Sequence, residues 1–166
     1  DTLPPVETRN PNTKYSPAFE GQTRVHGMKT QTPYTGKILT DKLERPWGIA
    51  VLPDGRLLIT QKAGSMVIVT TDGMTGAPIT GIPEVNSNGQ GGLLGVTLDP
   101  DFEKNRMVYW VFSEKRPDGN LTAVAKGRLA NDEKAMENAQ VIYRATPAHN
   151  SNLHYGGRIL FDKNGY

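Results

Sequence analysis

Gly95-Val96-Thr97-Leu98-Asp99-Pro100 reads as a glycine, a strand-length apolar run and a turn, and the chain repeats that construction in other letters. Gly48-Ile49-Ala50-Val51-Leu52-Pro53 comes 47 residues before it and Gly157-Arg158-Ile159-Leu160-Phe161-Asp162 comes 62 residues after it. These intervals are near the period of four-stranded propeller blades, roughly 40–50 residues. Each repeat sits in a group of short runs rich in β-formers and separated by turn residues. In the first group the expected strands are Ile38–Thr40, Trp47–Leu52, Leu57–Thr60 and Met66–Thr70, with turns at Pro53-Asp54-Gly55, Lys62-Ala63-Gly64 and Asp72-Gly73. A long loop from Gly76 to Gly92 leads to the second group: Leu93–Leu98, Met107–Ser113, Leu121–Leu129 and Val141–Tyr143. A third group opens at Gly157–Asp162.

The expected fold is therefore all-β, a β-propeller of which residues 36–166 hold about two blades and the start of a third. A propeller needs at least four blades, so the others are expected outside these 166 residues. A closed β-sandwich of about ten strands is the alternative arrangement of the same runs. Residues 1–35, with Leu3-Pro4-Pro5, Asn10-Pro11-Asn12, Ser16-Pro17 and Thr32-Pro33, lack periodicity and apolar content. They read as an extended leader, draped on the domain or disordered, with His26 solvated.

Composition excludes several classes of function. Nineteen Lys+Arg stand against 17 Asp+Glu and are scattered, so neither nucleic acid nor an anionic membrane is an expected partner. No cysteine is present, which removes disulfides, thiolate metal sites and cysteine nucleophiles. No apolar run approaches the ~20 residues of a membrane span.

Two loops carry the candidate chemistry. Asn88-Gly89-Gln90-Gly91-Gly92 and Asn150-Ser151-Asn152-Leu153-His154-Tyr155-Gly156-Gly157 each place functional side chains among glycines directly before an apolar run. In a propeller the loops that lead into the innermost strands gather at one end of the channel, so Gln90 and His154 are expected to point into one funnel. His149 and His154 are five apart on a loop with no third ligand near, and no metal site is assigned to them. Trp47 and Trp110 are expected in the core, packing blade on blade.

The residues Leu43-Glu44-Arg45-Pro46-Trp47-Gly48-Ile49-Ala50, Gly89-Gln90-Gly91-Gly92-Leu93-Leu94-Gly95, Asp99-Pro100-Asp101-Phe102 and His154-Tyr155-Gly156-Gly157-Arg158 together resemble the soluble quinoprotein glucose/sorbosone dehydrogenases, most of all their aldose dehydrogenase branch. The resemblance implies a six-bladed propeller that binds pyrroloquinoline quinone (PQQ) and calcium and oxidises the anomeric hydroxyl of aldoses to lactones. It gives His154 the role of general base, and Gln90 that of a contact to cofactor and sugar. In glucose-oxidising members an acidic residue precedes the histidine. Here Leu153 stands in that place, with Asn152 the candidate for the polar sugar contact. Gln61 occupies a position where many members carry glutamate, and the family's calcium ligands and PQQ-gripping cations belong to later blades. The resemblance further implies a periplasmic or secreted protein, an external electron acceptor, and a homodimer as an open possibility of assembly. A propeller that only binds a carbohydrate or a protein is the alternative, since a fold does not set a function.

Overall fold

The structure is a computed structural model that describes residues 3–166. It divides into two units, one ending at Lys37 and the other spanning Ile38–Tyr166. In the first unit the chain doubles back on itself. Pro5 pairs antiparallel with His26, the Val6 and Gly27 N–H groups donate to Val25 O and Pro4 O at 3.1 Å each, and the exposed His26 holds Leu3 O through Nδ1 at 2.8 Å.

The second unit is all-β apart from one helical turn. Strands β1 (Pro46–Val51), β2 (Leu57–Gln61) and β3 (Ser65–Val69) form an antiparallel sheet in the order 1-2-3. Strands β4 (Leu93–Leu98), β5 (Met107–Arg116), β6 (Gly119–Leu129) and β7 (Met136–Arg144) form the second, in the order 4-5-6-7, with helix α1 (Phe102–Asn105) between β4 and β5. The two expected meanders are thus present, and these described residues do not themselves close a ring.

Three strand expectations are corrected. Ile38–Thr40 forms no strand: Leu39 packs its side chain on Ile59, Val67 and Val69, while Ile38 is exposed. The outer edge of β3 is met instead by residues 75–79, through bridges Val69↔Thr75 and Met66↔Ile79. β7 runs from Met136, longer than Val141–Tyr143, because bulges and the positive φ of Asn138 (53°) let it follow the twist of β6. Gly157–Asp162 lies along the first two repeats without a ladder partner among the described residues, so it is extended chain and not strand. Phe161 nonetheless reaches the second sheet, its ring edge-on to Tyr109 at 5.0 Å between centroids.

The two sheets share one core. Leu52, Leu58, Met66 and Ile68 from the first meet Leu93, Val96, Val108, Trp110, Phe112, Leu121 and Leu129 from the second. Each fully buried side chain of this size contributes roughly 1.5–3 kcal/mol. On β6 the alternation is strict, with Leu121, Ala123 and Ala125 inward, and Gly127 gives room to the Trp110 ring, whose Cη2 lies 3.1 Å from where a Cβ would stand. Trp110 is fully buried as expected. Trp47 is not: it is 54% exposed, because β1 turns Trp47, Ile49 and Val51 away from the shared core.

The three repeats lie side by side. A Cβ on Gly48 would stand 2.6 Å from Leu94 O, and one on Gly95 would stand 2.3 Å from Gly157 O. β1, β4 and residues 157–160 together line a groove of about 350 Å³. The glycines that open the first two repeats are there so that the neighbouring backbone can come this close, whereas a Cβ on Gly157 would meet only Trp47 Nε1, at 3.7 Å. Thr60 Oγ1 fastens the first of these contacts, accepting from Gly48 N–H at 2.8 Å and donating to Leu94 O at 2.6 Å.

At the other end of the sheets an ion cluster joins them. Arg56, directly before β2, forks onto Glu133 in the β6–β7 loop at 2.6 and 2.8 Å and also holds Asp54, while Arg106 approaches Glu133 at 3.5 Å. The hydrogen bond from Arg56 holds the Glu133 carboxyl below its ordinary value against the opposing effect of burial, with Arg106 adding to the same side. A group with a depressed folded pKa stabilises above its unfolded value and loses that contribution as pH falls through the folded one. Glu133→Gln should therefore destabilise the full-length protein by about 1 kcal/mol at pH 7. The difference from wild type should shrink as pH drops below about 4.3, as denaturant melts of both proteins across pH 3–7 would show.

Candidate functional site

The loop that carries Gln90 is built from both sheets. Ser113, fully buried in β5, accepts from Gly92 N–H at 2.7 Å, donates its hydroxyl to Asn86 O, and takes Asn86 N–H on its own carbonyl at 2.8 Å. From the β2–β3 turn, Lys62 Nζ donates to Ser87 O at 2.9 Å and Gly89 O at 2.8 Å, and Lys62 O accepts from Leu93 N–H at 3.0 Å. A lysine ammonium has three donors, and two of them here hold the carbonyls of a loop that makes no ladder of its own.

The loop that carries His154 hangs on the start of β6. Asn120 and His149 exchange both backbone hydrogen bonds at 2.9 Å, and Thr122 Oγ1 accepts from Gly156 N–H at 3.0 Å. The Asn120 carboxamide is fully engaged. Its Nδ2 donates to Ser151 O at 3.0 Å and Asn152 Oδ1 at 3.2 Å, and its Oδ1 accepts from Asn86 Nδ2 at 2.6 Å. Asn86, buried at 8% exposure, shares its Nδ2 with Asn152 Oδ1 at 3.3 Å. Tyr155 donates its hydroxyl to Ser151 O at 3.1 Å, and burial pushes that hydroxyl above its ordinary value, so it stays protonated at neutral pH.

The two loops meet at the residues singled out from the sequence. Gln90 N–H donates to Asn152 O at 2.8 Å, and His154 N–H donates to Gln90 Oε1 at 2.8 Å. His154 sits at φ 62°, in the left-handed region that few residues other than glycine adopt, and the Gln90 acceptor holds its N–H there. This bond also sets the orientation of the Gln90 amide: Oε1 faces the His154 backbone, and the Nε2 donors of this exposed side chain make no hydrogen bond among the described residues. The imidazole of His154 is exposed and makes no hydrogen bond among the described residues. It borders a cavity of about 290 Å³ with His149, Leu153 and Tyr155. Asn152 is exposed, but its Oδ1 is occupied inside the loop, which leaves its Nδ2 for a ligand. An exposed amide donor and an exposed imidazole on touching loops can bind an acceptor oxygen and remove a proton beside it.

Residues 43–166 match the family described as glucose/sorbosone dehydrogenase. The chain belongs to this family. The aldose sugar dehydrogenase YliI of Escherichia coli is 39% identical over 132 residues, 78% of this chain and 36% of that protein. The crystal structure of the soluble E. coli aldose sugar dehydrogenase in its apo form superposes with a TM-score of 0.72 at 38% identity, covering 75% of this chain and 37% of the other. The PQQ-bound aldose sugar dehydrogenase of Streptomyces coelicolor gives 0.64 at 27% identity, covering 78% and 38%. The chain spans little more than a third of the length of these dehydrogenases.

Lys62, Asn86 and Asn120 were not legible as site residues. Each lies in a stretch whose composition reads as turn or loop, and their partners lie 25 to 66 residues away in sequence. Among the described residues no three His, Asp or Glu stand close enough to hold a metal ion, and Arg158 is exposed along the repeat groove without an ion pair.

Gly89 stands where the loops touch, at φ 54°, and a Cβ there would be 2.5 Å from Asn152 O. Gly89→Ala should cost about 2 kcal/mol, the sum of left-handed strain and a backbone collision. Gly55→Ala, at φ 85° with its nearest neighbour at 3.7 Å, should cost only about 1 kcal/mol. Denaturant unfolding of the two variants in the full-length protein measures the difference.

Proposed function

We propose that this chain is the N-terminal part of a six-bladed propeller that oxidises aldoses at the anomeric carbon, and that its touching loops form the proton-accepting wall of the active site. The observation that carries this reading is the Gln90–His154 contact, which ties together two loops, one bearing an exposed amide and the other an exposed imidazole, in a member of the sugar dehydrogenase family.

The unbonded Nε2 donors of exposed Gln90 suit a quinone oxygen or a sugar hydroxyl, so the residues present fit the reactive end of PQQ and its substrate. PQQ, when bound, supplies the two-electron acceptor for the hydride that leaves the anomeric carbon. His154 takes the hydroxyl proton on its imidazole as the C1–O bond becomes a carbonyl, so the sugar loses one proton and one hydride and becomes a lactone. A neutral imidazole is the side chain suited to accept that proton near neutral pH. Gln90 holds the oxygen beside it, and Asn152 Nδ2 offers a further donor to the sugar. Leu153, half exposed beside His154, gives this wall an apolar patch. Calcium takes six to eight oxygen ligands, and no residue of this chain is assigned to it. The reading carries with it an external electron acceptor and a periplasmic or secreted location.

The test is dye reduction by the full-length protein supplied with PQQ, calcium and a panel of aldoses. Wild type should reduce dye in a sugar-dependent way. His154→Ala should lower kcat/KM by roughly 10²–10⁴-fold while PQQ binding, followed by absorbance titration, stays within a few-fold. Near-normal turnover in His154→Ala would remove the base assignment, and a wild type that binds PQQ or sugar without turnover would identify a binding propeller.

A further inference from the structure

We infer that Asn120 is a positioning residue for the Gln90–His154 pair: its side-chain carboxamide holds the His154 loop at the register in which Gln90 can clasp the His154 backbone. The inference rests on the function proposed above for that pair.

The argument begins with what supports residues 150–155, which belong to no strand. Behind them, backbone bonds between Asn120 and His149 fasten residue 149; ahead of them, Thr122 fastens Gly156. Between these two points the loop is tied to β6 by the Asn120 side chain, at Ser151 O and at Asn152 Oδ1. Asn152 O in turn receives Gln90 N–H, and two residues later His154 N–H reaches Gln90 Oε1. The sequence of contacts therefore runs from a strand of the core, through one carboxamide, to the exposed residues Gln90 and His154.

Only a carboxamide satisfies all the partners. Asn120 presents donors to two acceptor oxygens and an acceptor to the buried Asn86 Nδ2. Aspartate has the same shape but no donor, so it would set carboxylate oxygens against Ser151 O and Asn152 Oδ1 while keeping the bond from Asn86. The backbone pair with His149 would be untouched. The isosteric change thus cuts the loop from the strand at its middle alone, and His154, held at a positive φ, loses the register that sustains its bond to Gln90.

Asn120→Asp in the full-length apo protein, followed by hydrogen–deuterium exchange, tests this without turnover. The expected result is at least a 10-fold faster exchange of the Gln90 and His154 amides, which donate to Asn152 O and Gln90 Oε1, with protection in β4, β5 and β6 unchanged. Unchanged exchange at Gln90 and His154 would overturn the inference, as would loss of protection throughout β5 and β6, which marks a merely structural residue. Should Asn120→Asp not fold, Asn120→Ser, which keeps the backbone pair and lacks the carboxamide, is read in the same way. In the PQQ-loaded protein Asn120→Asp should lower kcat roughly 10-fold or more, and the double variant with Gln90→Leu should be no slower than Gln90→Leu alone, since both act on one contact. Additive losses would overturn the inference. A wild type without aldose oxidation would remove the proposed function and leave the exchange result to decide the positioning role.

Discussion

The close approach of neighbouring backbones at Gly48, Gly95 and Gly157 is the constraint on which the rest of this chain depends. At each of the first two a Cβ would stand under 3 Å from a carbonyl oxygen of the next repeat. Interiors are packed too tightly to absorb such a displacement by local adjustment. With the glycines in place, β1 settles on β4, Thr60 joins the two, and the first sheet delivers Leu58, Met66 and Ile68 into the core that Trp110 and Phe112 occupy from the second. The ion cluster around Glu133 joins the sheets at the far end.

That docking decides where the loops go. Once β2 and β3 lie beside β4, the turn between them puts Lys62 against the carbonyls of Ser87 and Gly89, and Ser113 closes the same loop from beneath. Asn120 does the corresponding work for the loop after β7. The candidate site is thus two irregular segments, each fastened to a sheet by polar side chains and to the other by the bonds of Gln90. Irregular backbone needs partners for its N–H and C=O groups wherever it leaves solvent, and buried or half-buried Ser113, Asn86 and Asn120 supply them. Rigid strands carry the loops, and the loops carry the groups that meet a ligand.

Much of this was legible before any coordinates. Alternating apolar runs between Asp-Gly and Pro-Asp-Gly turns specify antiparallel meanders, because side-chain period and turn chemistry are local properties of the chain. The repeat of glycine, strand and turn marked the strands that would lie side by side, and Gln90, Asn152 and His154 stood out as polar groups among glycines. What misled was local appearance without a partner. Ile38–Thr40 and Gly157–Asp162 have strand composition, yet a strand exists only as a member of a ladder, and neither segment has one here. Trp47 has the composition of a core residue, but the face of β1 it occupies is turned from the shared core.

By itself, then, the sequence determined the all-β class, the two meanders, the family and the pair of loops that bear Gln90 and His154, since each rests on residues near one another in the chain or on a motif read in order. Only the tertiary structure decided that the Gln90 amide clasps the His154 backbone, and that Lys62, Asn86 and Asn120 hold the two loops. Those are hydrogen bonds between groups 25 to 66 residues apart. Their existence depends on how two sheets pack, and no local pattern encodes a contact that packing creates.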